Sequence, residues 1–370
     1  MISKIFSDML SYKKNIMKYI LLTLTIFTVV ILFIFNEMNS KVVIGKVTQD
    51  KGEWITLSVT NTNTDNDTDS KSDIWMIDTE TQVKQKLVGN REPMISGKVN
   101  TAGDILIYSD AIGTGPWDVF RLNIPTKEIY QITNDSLGQF NLHFGDEEGN
   151  IIFAKSGDKN SPIPQISRID VNKKEGKTIE LGSPNLGVQD FDIGDNKIIA
   201  LAFPYDEYVT KKFKKNDDLA KINYYIIEMN MDGSNRKVIT EIKASRLDSI
   251  SLSKSKDSII LGGTGMKDNE KGFYKLDLKS NKIDTLLTQE QLGKPNEVPE
   301  ISQPYIAALS YDGKKLYFAA VPTGTSEKSI YGNITVYPNA LYCYNLEDKK
   351  LNEFFKVSNT FISNISFAYK

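Results

Sequence analysis

The sequence predicts an all-β fold, a six-bladed β-propeller preceded by one transmembrane helix, on three observations. A strand-turn-strand stretch occurs six times along the chain. Each recurrence belongs to a unit of four short β-branched and aromatic segments separated by Gly, Asn or Asp turns. One long uncharged stretch near the N-terminus follows a different pattern from everything after it.

The recurring stretch is clearest in SDIWMIDT, where an alternating run ends in Asp78, a polar turn follows, and a second strand passes through Val83 and Leu87. Related stretches end their first strand at Asn123, Asp170, Asn230, Asp277 and Asn345, giving spacings of 45, 47, 60, 47 and 68 residues. A period of this size marks a repeat architecture. Four-stranded units of this length point to a propeller rather than a sandwich. A ring of repeats also suits residues 42–370, which are too many for one ordinary core.

Repeat two shows the grammar: an opening strand over 93–99, a turn at Gly103-Asp104, strands over 105–109 and 117–123, and a last strand over 128–133. Repeat five repeats it with DSISLS, SIILGG, FYKLDL and KIDTLLT. Helical periodicity is nearly absent outside the N-terminal segment. Repeats four and six are stretched at one point, between second and third strands, over 204–223 and 322–339. Repeat one carries a polar tract there, over 60–71. Insertions at one point of a repeat map to one face of the ring.

Composition is ordinary for a globular chain, with 370 residues, 40% hydrophobic, 25% charged and a formal net charge of −2. No clustered basic excess argues for nucleic acid. The single cysteine, Cys343, forbids an internal disulfide and a Cys-based metal site. The single histidine, His143, lies in the alternating run 140–144 and reads as a structural strand residue.

The uncharged segment 19–35 opens at Tyr19 and closes at Phe35. As a helix it spans roughly 25 Å, near the ~30 Å hydrocarbon core, and Lys18 can snorkel to extend it. Lys4, Lys13, Lys14 and Lys18 precede it, so residues 1–18 are expected in the cytoplasm and the rest of the chain outside. A cleaved signal peptide would show a small-x-small site. The following NEMNS does not, and an uncleaved signal anchor in the cell membrane is the expectation.

A ring must join its last blade to its first. The C-terminal run ISNISFAYK parallels LDSISLSKS of repeat five and opens a unit that never continues. It is therefore expected to complete blade one, with 42–47 a lead-in.

These residues resemble a known family. SYDGKKLYFAA, with its turn at Asp312-Gly313, looks like the signature of TolB-type, WD40-like propeller repeats, and SDIWMIDTETQVKQKL looks like its second half. The resemblance covers about 42–370. It implies a scaffold that binds other proteins or caps an enzyme, and it brings no catalytic residues.

Asp65, Asp67, Asp69 and Asp73 stand at positions 1, 3, 5 and 9 of a polar loop and resemble the calcium hairpins of integrin-type propellers. Ser70 replaces the usual glycine and Lys71 adds a positive charge, so a solvated loop is the simpler reading and no metal or other cofactor is expected. The end-of-strand Asp/Asn residues suit local side-chain-to-backbone bonding. Lys211, Lys212, Lys214 and Lys215 suit a solvated loop, with an anionic polymer or headgroup as the alternative. Asp190, Asp192 and Asp248 lie in or beside innermost strands and are the candidates for a carboxylate pair.

The reading that follows is a membrane-anchored extracytoplasmic scaffold or receptor of the cell envelope. It is not an enzyme, and it binds a protein or envelope polymer at one ring face. The alternative is a propeller-type glycoside hydrolase or lyase with paired carboxylates in the axial cleft.

Overall fold

The structure is a computed structural model and describes residues 53–62, 70–111, 115–158, 161–179, 181–214, 217–295, 297–330 and 334–369. Alternating apolar residues build six sheets arranged as blades. Blade one contains β1 (Glu53–Asn61), β2 (Ser72–Asp78) and β3 (Lys84–Arg91). Blade two contains β4 (Gly97–Val99), β5 (Ile105–Ala111), β6 (Trp117–Asn123) and β7 (Ile129–Gln131). Blade three contains β8 (Leu137–Phe144), β9 (Ile151–Asp158), β10 (Ser161–Asp170) and β11 (Glu175–Ile179). Blade four contains β12 (Leu186–Gly194), β13 (Lys197–Pro204), β14 (Ile222–Asn230) and β15 (Lys237–Ala244). Blade five contains β16 (Arg246–Leu252), β17 (Ser258–Thr264), β18 (Lys271–Asp277) and β19 (Ile283–Thr288).

Blade six departs from the pattern. Its inner edge is split into β20 (Glu300–Ile301) and β21 (Ala307–Leu309), both paired with β22 (Lys315–Val321). Its insertion folds as a separate hairpin, β23 (Lys328–Ile330) with β24 (Ile334–Val336), before β25 (Ala340–Asn345) and β26 (Leu351–Phe355) resume the blade.

The last strand, β27 (Thr360–Tyr369), pairs antiparallel with β1 from Glu53↔Tyr369 to Asn61↔Thr360. Blade one is therefore ordered β27-β1-β2-β3, and the C-terminus closes the ring as expected. Ile362, Ile365 and Phe367 of β27 pack with Ile55, Leu57, Ala308, Tyr317 and Leu341, so one cluster sews blade one to blade six. Similar clusters fill the other spaces between blades, for example Leu201, Tyr224, Leu247, Leu261 and Tyr274 between four and five. Burying a side chain of this size is worth about 1.5–3 kcal/mol.

The repeated anchors are turn-builders. The Oδ1 atoms of Asp78, Asn123, Asp170, Asp277 and Asn345 each accept a backbone N–H two or three residues on. Four residues after each stands a left-handed residue: Gln82, Lys127, Lys174, Asn281 and Lys349. Asn230 differs. Its Oδ1 accepts from Lys197, and Asp232 caps the turn through the Ser234 amide. The Asp312-Gly313 turn is closed by Ser310 and Asp312, with Gly313 at φ 69°.

Some expected boundaries shift. The opening strand of repeat two is only Gly97–Val99, because Ser96 bonds the neighbouring Ser109 through its amide, carbonyl and hydroxyl before regular pairing begins. The blade-four insertion is not all loop, since a helical turn at Tyr205–Tyr208 runs into a π-helical turn at Val209–Lys214. Glu207 and Lys211, one turn apart, form a 2.6 Å ion pair that supports it.

The expected membrane segment 19–35, the lead-in 42–47 and Asp65, Asp67 and Asp69 lie outside the described residues. Among the described residues no helix is long and apolar enough to cross a membrane.

Candidate functional site: the axial cavity

The innermost strands of all six blades face a common cavity of about 430 Å³. What shapes it is a set of β-bulges. In β8 the pairing jumps from Phe140↔Lys155 to His143↔Phe153, leaving Asn141 and Leu142 opposite one residue. In β12 Gln189 is the extra residue, in β16 Asp248, and in β27 Ser363. A bulge bends its strand and re-aims side chains. Here it turns Asn141, Gln189, Asp248 and Ser363 toward the cavity. Asn141 adopts φ 49°, a left-handed conformation that asparagine tolerates better than most residues.

Inner strands of neighbouring blades do not share a backbone ladder, and polar side chains bridge them instead. Asn141 donates its amide N–H to Ser96 Oγ at 2.9 Å, joining blade three to blade two. Its side-chain amide donates to Asp190 Oδ1 in blade four. Asp190 Oδ2 and Asp192 Oδ2 accept the Ile250 and Leu252 amides of blade five at 2.7 and 2.9 Å. Asp248 Oδ2 accepts the Tyr305 amide of blade six at 3.0 Å, while Ser249 Oγ donates to the Tyr305 carbonyl at 2.6 Å. Tyr369 donates its hydroxyl to the Leu309 carbonyl, tying blade one to six. Ser366 donates to the Gly97 carbonyl, tying one to two. The ring is sewn all the way round.

All three candidate carboxylates meet at this cavity, and all are engaged. Asp190 Oδ1 accepts from Asn141 and from the Phe191 amide, and Oδ2 from Ile250. Asp192 Oδ1 accepts from the Ile193 amide and lies 3.4 Å from Lys98 Nζ and 3.0 Å from His143 Nδ1. Asp248 Oδ1 accepts Arg246 Nε at 2.6 Å. Their protonation differs accordingly. Burial pushes the Asp190 carboxyl up to about 7, against its hydrogen bonds and the Lys155 charge. Burial would also raise Asp192, but the Lys98 ammonium, His143 and the Leu252 amide outweigh it and hold the carboxyl well below the usual range. Burial, then the adjacent Lys98 charge, lowers His143 to about 4, so the imidazole is neutral near pH 7. His143 stacks on Phe191 with ring centroids 4.5 Å apart, and among the described residues its buried Nε2 has no hydrogen-bond partner.

Asp190 has a proton affinity suited to acid chemistry, but both of its oxygens already serve as acceptors across the ring. The arrangement binds blades together. Lys155 adds a different element. It lies on β9 and donates one hydrogen bond, to the carbonyl of the bulged Gln189 at 2.9 Å, and burial lowers its pKa.

Outside the cavity, Asp73 is bound by Lys86 at 2.6 Å and accepts the Asn90 amide. Lys211 and Lys212 turn back onto the Glu207 carboxylate and onto the carbonyls of Lys221 and Asp218. Among the described residues no group of His, Cys, Asp and Glu is placed to hold a metal ion. Cys343 is partly buried beside Tyr317, and burial raises its thiol.

Solved structures of other proteins share this architecture. TolB from Acinetobacter baumannii superposes with a TM-score of 0.57 at 13% identity, covering 84% of this chain and 66% of that one. A putative TolB from Agrobacterium tumefaciens gives 0.53 at 8% identity over 87% and 99% of the two chains. A chain of the nidogen/laminin complex gives 0.54 at 13% identity over 85% and 98%. The fold is a TolB-like six-bladed propeller. The present chain spans about two thirds of the Acinetobacter structure and nearly all of the other two. No family model and no curated protein matches the chain in sequence.

Proposed function

We propose that this protein is a membrane-anchored, extracytoplasmic propeller that acts as a non-enzymatic scaffold or receptor. Its partner is a protein or a cell-envelope polymer, bound at one face of the ring. The observation that carries the reading is the placement of the insertions. Both join the second to the third strand of a blade, β13 to β14 and β22 to β25, and so emerge on the same face. That face presents Leu219, Ile334 and Tyr337, which are 62%, 43% and 47% exposed. The insertions thus carry exposed apolar side chains that a partner seated across this face could cover. The axial carboxylates, spent on cross-blade bonds, support a binding role over carboxylate-pair catalysis. A propeller of similar fold occurs in the nidogen/laminin complex, which favours a protein as the partner.

The lysines before segment 19–35 support an anchor with its N-terminus inside. In intact cells, added protease should cleave the propeller domain containing Trp117 while a tag at Met1 stays protected. Protection of the propeller would overturn the extracytoplasmic placement. A pull-down of the tethered protein from its own envelope should retain a partner, and variants shortened at 205–221 or 323–338 should release it.

A further inference from the structure

Three cations and three carboxylates line the axial cavity: Lys98, Lys155 and Arg246 with Asp190, Asp192 and Asp248. Two pairs neutralise each other directly, Lys98 with Asp192 at 3.4 Å and Arg246 with Asp248 at 2.6 Å. Lys155 and Asp190 remain. They attract each other across the cavity, but among the described residues they form no direct ion pair, and the two groups are satisfied very unequally. Asp190 accepts three hydrogen bonds, from Asn141, Phe191 and Ile250. The Lys155 ammonium has three donors and, among the described residues, uses one, on the Gln189 carbonyl. Lys155 is half-buried in the cavity wall, and a desolvated ammonium with unused donors is costly unless something accepts from it.

The cavity lined by this cation is mixed in character: polar and charged side chains share its wall with apolar ones that include Met94, Phe140, Ile306, Ile365 and Phe367. A cavity that combines apolar wall with convergent polar groups can hold a small molecule, and about 430 Å³ lies within the usual size range. We propose that the axial cavity is a binding site for a small organic monocarboxylate, its carboxylate held by Lys155 and its apolar body packed against Phe140, Ile306 and Ile365. A monoanion matches Lys155, the one cavity cation that forms no ion pair among the described residues. A phosphate dianion would bring a second charge beside Asp190, and a neutral ligand could accept from the ammonium but would leave its charge uncompensated. The site is separate from the insertion face and does not depend on the partner bound there.

Burial and electrostatics give the site a second property. Asp190 titrates near 7 and Lys155 below its ordinary value. An arriving anion favours the protonated form of both, so binding takes up protons at pH 8.

The test is calorimetric titration of the full chain in detergent with phenylacetate, and with phenylacetamide as the neutral isostere. Phenylacetate should bind saturably and at least tenfold more tightly than phenylacetamide. Inorganic phosphate should not compete. Repeating the titration at pH 8 in buffers of different ionisation enthalpy should reveal proton uptake. Lys155→Met should weaken phenylacetate at least tenfold and phenylacetamide far less, with a melting curve like the parent's. Should that variant not fold, the parent's preference for the acid over the amide and its proton uptake decide the matter. No saturable phenylacetate binding, equal affinity for acid and amide, competition by phosphate, or undiminished binding in a folded Lys155→Met would overturn the proposal.

Discussion

Asp190 Oδ2 accepts the amide hydrogen of Ile250 at 2.7 Å, across the boundary between the fourth and fifth blades. The bond stands for a general device in this ring, in which inner-strand side chains supply the bonds that backbone ladders cannot. Removing the side chain in Asp190→Ala strands the Ile250 and Asn141 donors in a buried place. Each such loss costs about 1–3 kcal/mol. Urea denaturation of the variant should show a loss of that order or more, and an unchanged midpoint would mean the bond contributes nothing.

The pH dependence of stability follows from two groups that pull in opposite directions. Asp190 moves from its ordinary 3.8 up to about 7, so the folded state binds the extra proton between these values and stability falls as pH rises. His143 moves from 6.5 down to about 4, so the unfolded state binds the extra proton there and stability rises with pH. Across roughly pH 4 to 6.5 the two oppose. Asp190→Asn removes the falling contribution alone. Its stability relative to the parent should therefore climb with pH across that window, and a parallel pair of curves would contradict the assignment.

Gly262 on β17 is fixed by its neighbour. A Cβ built there would lie 1.9 Å from the Tyr305 carbonyl oxygen, an atom also held by Ser249. Gly262→Ala must push Tyr305 out of the inner edge of blade six. Overpacking of this kind costs about 1–3 kcal/mol. A drop in melting temperature is expected, together with loss of phenylacetate binding, because Ile306 follows Tyr305 into the cavity wall. A variant that melts and binds like the parent would contradict the steric reading.

Ring closure predicts the effect of removing β27. A protein ending at Asn359 loses the inner strand of blade one and the Ile362, Ile365 and Phe367 side chains that join it to blade six. It also gains an unpaired edge on β1. Cooperative melting should be lost and the protein should aggregate. A monomeric truncation with parent-like melting would mean the ring holds without its closing strand.

Much of this architecture was legible in the sequence because it depends on short-range signals. Anchors such as Asp78 and Asp277 close their turns through amides only two or three residues away, so their spacing carried the repeat directly. The parallel between ISNISFAYK and the inner strand of repeat five likewise exposed the closing strand. The cavity was less legible. Asp190, Asp192 and Asp248 were visible as inner-strand carboxylates, but their donors Ile250, Leu252 and Tyr305 are 60, 60 and 57 residues away. Lys155 gave no signal at all. It lies on the second strand of its blade and meets the cavity beside bulges at Asn141 and Gln189, and a bulge leaves little trace in a pattern of alternating residues. The neutral His143 shows the same limit. Its place on a strand follows from alternation, whereas its contacts with Lys98 and Asp192 follow from ring geometry.

The central claim is that a partner docks on the face bearing the insertions. A photoreactive residue placed at Tyr337, on the blade-six insertion, tests it against one at Tyr311, in the β21–β22 turn on the opposite face. Both positions are well exposed, at 47% and 54%. Irradiation of intact cells should give a discrete crosslinked species from position 337 and none from position 311. A crosslink from 311 alone, or none from either, would contradict the account.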